Sequence, residues 1–258
     1  MKRFAEKVVV VTGASRGIGQ AICAAFAREG AKVAGVARGD LVETETKVKN
    51  AGGEWLGIQA DLSASTQAAA AELVGQVLER AGRIDALVNN AGIIRRAPAA
   101  EYSEADWNEV LRTNLSAPFF LSQSAAKWWL AAGREKSAAE ARLKIVNIAS
   151  LLSFQGGILV PAYTASKHGL AGVTKALANE WARERINVNA IAPGYIATEN
   201  TRALREDARR NQAILDRIPE NRWGAPEDIA GGCLFLASAD SDYLNGAIIN
   251  IDGGWLGR

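Results

Sequence analysis

"KVVVVTGASRGIGQAICAAFAREGAKVAGV", Lys7 to Val36, contains a strand, a glycine-rich turn, a helix and a second strand in immediate succession. The four valines form a short β-branched run with no polar alternation, the pattern of a strand buried on both faces of a parallel sheet. An amphipathic helical segment then starts near Gly17. A second β-branched run, "KVAGV" (Lys32–Val36), follows at once. Two strands joined through a helix make a parallel pair with a right-handed crossover. Gly13, Gly17 and Gly19 fall where the strand turns into the helix. Glycine permits a tight turn there and lets pyrophosphate approach the free N–H groups and positive dipole end of the helix. A plain cluster of turn glycines is the alternative.

The same alternation continues along the chain. Strands are expected at Glu54–Ala60, Asp85–Asn89, Lys144–Ala149, Ile186–Ile191 and Ala247–Ile251, in addition to Lys7–Thr12 and Lys32–Val36. Between them lie helical patterns, one after Ser103, with Asp106 three residues on in the manner of a capping box, and one at "GAPED", where Pro226 suits the first turn. Strand and helix in this order predict an α/β fold with a doubly wound, seven-stranded parallel sheet. No linker or repeat divides residues 1–258, so a single domain is expected. "AAGREKSAAEARLK" (Ala131–Lys144) reads as a solvated extension.

Composition narrows the function. The net charge is +2 with both signs interspersed, which gives no electrostatic footprint for nucleic acid or a membrane surface. Cys23 and Cys233 lack metal-site spacing and read as free thiols in a reducing compartment. The N-terminal apolar run is too short for a signal peptide or a spanning segment, so a cytoplasmic location is expected. His168 is the sole histidine, which excludes a multi-histidine metal site; no metal is expected.

Three further stretches carry chemistry. "ADLS" ends the third strand with Asp61, whose carboxylate can meet an adenine amino group or cap the next turn. "VNNAG" ends the fourth strand with small and polar residues, Asn89 to Gly92, where backbone passes close to a ligand. In "AYTASKHG", Tyr163 and Lys167 are four apart and share one helix face. An ammonium beside a phenol lowers its pKa and makes it usable as an acid or base near neutral pH. Taken alone the pair is equally ordinary helix surface.

"TGASRGIG", "NNAG", "YTASK" and "APGYIAT" occur in the order and spacing of the short-chain dehydrogenase/reductase family, and the chain resembles that family over essentially its whole length. The resemblance implies a Rossmann-type fold, a nicotinamide dinucleotide and hydride transfer at a carbonyl carbon. It places a catalytic tetrad on Asn114, Ser150, Tyr163 and Lys167. It places the dinucleotide against Gly13, Ser15, Arg16, Gly17, Ile18, Gly19, Arg38, Asp61, Leu62, Asn90, Ala91, Gly92, Tyr163, Lys167, Pro193, Gly194, Ile196 and Thr198. In these roles Tyr163 exchanges a proton with the substrate oxygen, Ser150 stabilises charge on it, and Lys167 lowers the phenol pKa and holds ribose hydroxyls. Pro118 has no N–H, so a helix there leaves the Asn114 carbonyl free for a water relay; a simple kink is the alternative.

Cofactor choice turns on the end of the second strand. Ala37 stands where an acidic residue would bind the ribose of NAD, and Arg38 with Arg16 can clamp a 2′-phosphate, which favours NADP. Asp40 and the resemblance point to NAD, and the balance falls to NAD over NADP. The segments "NNAGIIRRAPA", "IASLLSFQGGILVPAYTASK", "NVNAIAPGYIATENTRALR", "ILDRIPENRWGAPEDIAG" and "DGGWLGR" resemble the sugar-acid dehydrogenases of the family. A sugar acid needs a fixed cation for its carboxylate, and Arg95, Arg96, Arg202, Arg217 and Arg222 are available, with Gln155 as a hydroxyl partner. Each arginine is otherwise a surface charge. Gluconate 5-dehydrogenation, another polyol or 3-oxoacyl reduction, and non-catalytic dinucleotide sensing are the rival readings. The stripe Leu170, Val173, Leu177, Trp181, with Trp128 and Trp129, is core or subunit surface. The resemblance implies a homotetramer built partly on these helices, with "DGGWLGR" able to reach a neighbouring site.

Overall fold

The structure, a computed structural model, describes residues 2–133 and 141–257. Its strands are β1 (Val8–Thr12), β2 (Lys32–Ala37), β3 (Glu54–Gln59), β4 (Ala86–Asn89), β5 (Leu143–Ile148), β6 (Ile186–Pro193) and β7 (Ile248–Ile251). They form one parallel sheet of seven strands in the order β3-β2-β1-β4-β5-β6-β7. Every strand expected from the sequence is present, with ends moved by no more than two residues. The chain winds outward from β1 to β3 and then returns to place β4 on the other side of β1. That reversal opens a crevice at the carboxyl ends of β1 and β4, where α/β sheets bind ligands.

Helices α1 (Gly17–Arg28), α2 (Val42–Asn50), α3 (Gln67–Ala81), α4 (Glu104–Leu111), α5 (Ala117–Trp128), α6 (Pro161–Trp181), α7 (Arg202–Glu206), α8 (Ala208–Leu215) and α9 (Pro226–Ala237) connect the strands. β1 shows why the sheet is covered twice. Val8 and Val10 pack with Leu73, Val77, Leu121 and Leu177 from α3, α5 and α6, and with Trp129 just beyond α5. Val9 and Val11 face Ile22, Phe26, Val48, Ile229 and Leu236 from α1, α2 and α9. Each such buried side chain contributes about 1.5–3 kcal/mol, which a strand with one wet face would forgo at every second position.

Caps agree with the sequence. Ser103 Oγ accepts from Asp106 N at 3.1 Å to start α4, and Asp228 Oδ2 accepts from Ala225 N at 2.7 Å at the proline-led start of α9. Leu170, Leu177, Trp181 and Trp129 are buried within this chain, so the apolar stripe is core. Val173 and Trp128 pack against the same cluster. Trp255, in the segment offered as reaching a neighbour, is also buried in its own chain, its indole N–H donating to Gln155 Oε1 at 3.1 Å. Of the Ala131–Lys144 extension, residues 134–140 lie outside the described part. Among the described residues, no helix is long and apolar enough to cross a membrane.

One local expectation changes. α4 does not run into a kinked α-helix at Pro118. Residues Arg112–Ser116 take a π-type winding in which Ala117 N donates to Arg112 O, and Pro118 then falls in the first turn of α5. Widening the ladder by one residue lets the chain pass a position with no N–H to give.

Candidate active site

A cleft of about 770 Å³ lies along the carboxyl ends of β1, β2, β4, β5 and β6. All the residues expected against a dinucleotide line it, from Gly13 to Thr198, together with Ser150. The glycine turn fits a phosphate. Gly17 takes φ +56°, and a Cβ at Gly19 would stand 2.2 Å from the Gly13 carbonyl, so only glycine lets the turn close. Arg16, the N-cap residue of α1, places no side-chain acceptor on the first-turn N–H groups. They are left for an anion, as the dipole favours. Asn90 holds the turn from below, its Nδ2 donating to the Thr12 and Gly13 carbonyls at 2.9 and 3.2 Å.

The adenosine end is bounded by Ala37, Arg38, Asp40, Glu43, Asp61 and Leu62. Asp61 realises its capping role: Oδ1 accepts from Ser63 N at 2.9 Å and Ser63 Oγ at 2.7 Å, and these bonds, more than Arg38, hold its carboxyl below the usual range. Its other oxygen stands 3.7 Å from the exposed Arg38 guanidinium. Asp40 turns inward upon its own turn, Oδ1 accepting from Val42 N at 2.9 Å. Glu43 went unremarked in the sequence because "VETETK" reads only as an acidic first helical turn.

The opposite end holds the tetrad. Asn114 is fully buried behind the cleft wall rather than in it. Its Oδ1 accepts from Ile93 N and its Nδ2 donates to Ile93 O, both at 2.9 Å, while Nδ2 also reaches Ser166 Oγ at 3.3 Å. The side chain thus ties the "NNAG" loop to α6. Ser150 leaves β5 and its Oγ accepts from Leu152 N at 3.2 Å. Tyr163 remains partly open to the cleft. Burial raises its phenol pKa, against a hydrogen bond with Ser150 and the charge of Arg96, which lower it. Lys167 is buried, and its ammonium donates to Ile148 O at 2.7 Å. Burial lowers its pKa to about 8. The sequence gives Lys167 the task of lowering the phenol, and its ammonium stands 5.6 Å from the Tyr163 ring centroid; Ser150 and Arg96 draw the phenol in the same direction.

The substrate candidates separate sharply, and none lines the main cleft. Arg95 is clamped by Glu109 through Nε at 2.9 Å and Nη2 at 3.0 Å. Arg202 pairs with Glu199 at 3.0 Å, and Arg217 stacks 4.0 Å from the Trp255 ring centroid. Arg222 pairs with Asp228 at 2.7 Å and belongs to a second recess with Glu220 and Gly253. Gln155 has given its Oε1 to Trp255. These four arginines and Gln155 are held by their own chain, which removes the simplest reason to expect them on a substrate carboxylate. Arg96 differs: it is exposed, its Nη2 donates to the Asn200 carbonyl at 3.4 Å, and among the described residues no carboxylate lies within ion-pair distance of it. Thr113 was also missed. It lines the cleft, and its buried hydroxyl has no partner among the described residues.

A doubly wound sheet, an anion-binding glycine turn at its switch point and a tyrosine–serine–lysine cluster across the cleft define an NAD(P)-dependent dehydrogenase. The chain belongs to the short chain dehydrogenase family, whose profile matches residues 7–209. The 2-dehydro-3-deoxy-D-gluconate 5-dehydrogenases of Escherichia coli (strain K12) and Bacillus subtilis (strain 168) are 50% and 49% identical to it, each match covering 98% of this chain and 96% and 95% of theirs. A protein of Agrobacterium tumefaciens solved with bound NADP is 53% identical, with a TM-score of 0.90 and 98% of each chain covered.

Proposed function

We propose that this protein interconverts 2-dehydro-3-deoxy-D-gluconate and 3-deoxy-D-glycero-2,5-hexodiulosonate, the secondary alcohol and ketone at C5 of a sugar acid. The observation that carries this reading is the position of Tyr163, a phenol open to the cleft that shares its lining with Ser150 and feels the Arg96 charge. A nicotinamide dinucleotide bound along the cleft supplies hydride acceptance or donation at the carbon. Tyr163 takes the alcohol proton in oxidation and returns it to the carbonyl oxygen in reduction. Ser150 hydrogen-bonds the same oxygen and stabilises its developing charge. Lys167 and Asn114 hold the wall in register, Lys167 from the end of β5 and Asn114 across to Ile93. Arg96 receives the substrate carboxylate, since it is not already paired with one.

For the cofactor, the expected preference for NAD rested partly on Asp40 approaching the ribose, and Asp40 is engaged with Val42 N instead. Arg16 and Arg38 at the phosphate-facing rim favour NADP, as does the NADP held by the Agrobacterium relative. The pocket is proposed to take both, with NADP bound more tightly. A homotetramer is proposed for the assembly; edge strand β7 and exposed Phe235 and Tyr243 supply apolar surface outside the core stripe.

The test is a substrate panel. Purified protein is mixed with 2-dehydro-3-deoxygluconate, gluconate, a neutral polyol or a 3-hydroxyacyl thioester, with NAD and NADP in parallel, and the reduced-nicotinamide absorbance is followed. The proposal requires the fastest turnover with 2-dehydro-3-deoxygluconate. Faster oxidation of gluconate keeps the family and replaces the substrate; cofactor binding without turnover on any of them supports a sensor.

A further inference from the structure

Four consecutive carbonyls of the glycine turn are each held by a side chain from elsewhere. Thr12 and Gly13 accept from Asn90. Ala14 O accepts from Thr44 Oγ1 at 2.8 Å, and Ser15 O accepts from Gln20 Nε2 at 3.3 Å. Thr44 is fully buried on α2, and Gln20 is buried on α1. Neither was singled out by the sequence, and neither lines the cleft.

The bonds run in one direction. Lys47 has only hydrogens to give, and it gives one to Gln20 Oε1, which fixes that oxygen as the acceptor. Gln20 Nε2 must therefore donate, and it does so to both Ser15 O and Thr44 Oγ1, the latter at 3.1 Å. Having accepted, the Thr44 hydroxyl spends its single hydrogen on Ala14 O. Lys47 is itself paired with Glu43 Oε1 at 2.9 Å, and Glu43 lines the adenosine end of the cleft. In a planar trans peptide the carbonyl and the following N–H point opposite ways. Holding Ala14 O and Ser15 O toward the protein turns the N–H groups of Ser15 and Arg16 the other way, and both residues line the cleft.

We propose that Thr44 and Gln20 are positioning residues for the dinucleotide: with Lys47 they set the Ser15 and Arg16 peptides so that their N–H groups meet the pyrophosphate. This rests on the dinucleotide reading of the cleft. Pre-setting matters because a turn that must reorient on binding loses that cost from its affinity. The device acts on cofactor binding and not on the proton transfer at Tyr163, which lies on α6.

The test compares Thr44→Val, Thr44→Ser and Gln20→Met with the wild type. Kd for NADP and for ADP is measured by titration calorimetry, and kcat and KM with the sugar acid at saturating cofactor, with melting by circular dichroism as the folding control. Thr44→Val is expected to weaken both NADP and ADP about tenfold, the size of a lost buried hydrogen bond with its acceptor orphaned. Turnover at saturating NADP stays near that of the wild type, and Thr44→Ser regains the affinity because it keeps the hydroxyl. Gln20→Met gives the same split should Thr44→Val melt early. Unchanged NADP and ADP affinity in folded Thr44→Val or Gln20→Met overturns the proposal, as does a fall in kcat with affinity intact or an affinity not regained in Thr44→Ser. A wild type that binds neither NADP nor ADP overturns instead the dinucleotide reading beneath it.

Discussion

Lys167 and Tyr163 share a face of α6, the ammonium 5.6 Å from the ring centroid, yet the lysine gives its hydrogen bond to the Ile148 carbonyl. The two groups are pushed in opposite directions by the same cause. Burial raises the phenol and lowers the ammonium to about 8, while Ser150 and Arg96 draw the phenol back. Near neutral pH the lysine therefore sits as a costly buried cation that packing holds in place, ready for ribose hydroxyls.

That cost makes a stability prediction with a definite sign. The ordinary lysine value of 10.5 falls to about 8 on folding, so between the two the unfolded chain binds more protons and stability rises with pH. Below about 8 the whole penalty is present, roughly 3 kcal/mol, offset by about 1 kcal/mol for the bond to Ile148. Lys167→Met should be inactive and yet more stable than the wild type at neutral pH by about 2 kcal/mol, with the gain shrinking toward pH 10.5. Urea unfolding at the two pH values checks it; equal destabilisation at both would contradict it.

Arg96 and the paired arginines Arg95 and Arg202 predict a contrast among the candidate substrate cations. Arg96→Leu should raise KM for the sugar acid roughly 10- to 100-fold, the worth of a charge-assisted bond to a carboxylate. Because the Arg96 charge lowers the Tyr163 pKa, the same variant should move the phenol limb of the pH–rate profile to higher pH. Arg95→Leu and Arg202→Leu remove exposed ion pairs and should leave KM within about twofold. Steady-state kinetics across pH separates the three.

At the adenosine end, Arg38→Ala should raise KM for NADP about tenfold and leave that for NAD nearly unchanged, since only NADP brings a 2′-phosphate. Equal effects on the two cofactors would move the phosphate site away from Arg38.

Two glycines should respond to alanine with opposite signs. At Gly19 a methyl group would meet Gly13 O at 2.2 Å and Asn90 Nδ2 at 2.5 Å, so Gly19→Ala should spread the turn and abolish cofactor binding. Gly75 lies in α3 with no atom within 4 Å of an added Cβ, and Gly75→Ala should stabilise by about 0.5–1 kcal/mol. Melting temperatures and cofactor titrations read both.

The strands and the glycine turn were legible because their signal is local: a valine run has few other places to go, and the turn glycines are spaced by the turn itself. What the sequence could not show depends on partners distant along the chain. Adjacent Arg95 and Arg96 look identical until α4 brings Glu109 to one of them. Asp40 reads as a ribose ligand until its carboxylate is seen capping its own turn. Trp255 reads as a free tail until it meets Gln155, one hundred residues earlier. The π-type turn before Pro118 was half legible, since the missing N–H is written in the sequence but the way the backbone absorbs it is not.

The most direct test of the central claim is kcat/KM for 2-dehydro-3-deoxygluconate with saturating NADP, in the wild type and in Tyr163→Phe. Proton exchange at the phenol predicts brisk cofactor reduction that falls about 10²- to 10⁴-fold on loss of one oxygen atom, with cofactor affinity retained. A Tyr163→Phe protein that oxidises the sugar acid as fast as the wild type would contradict the account.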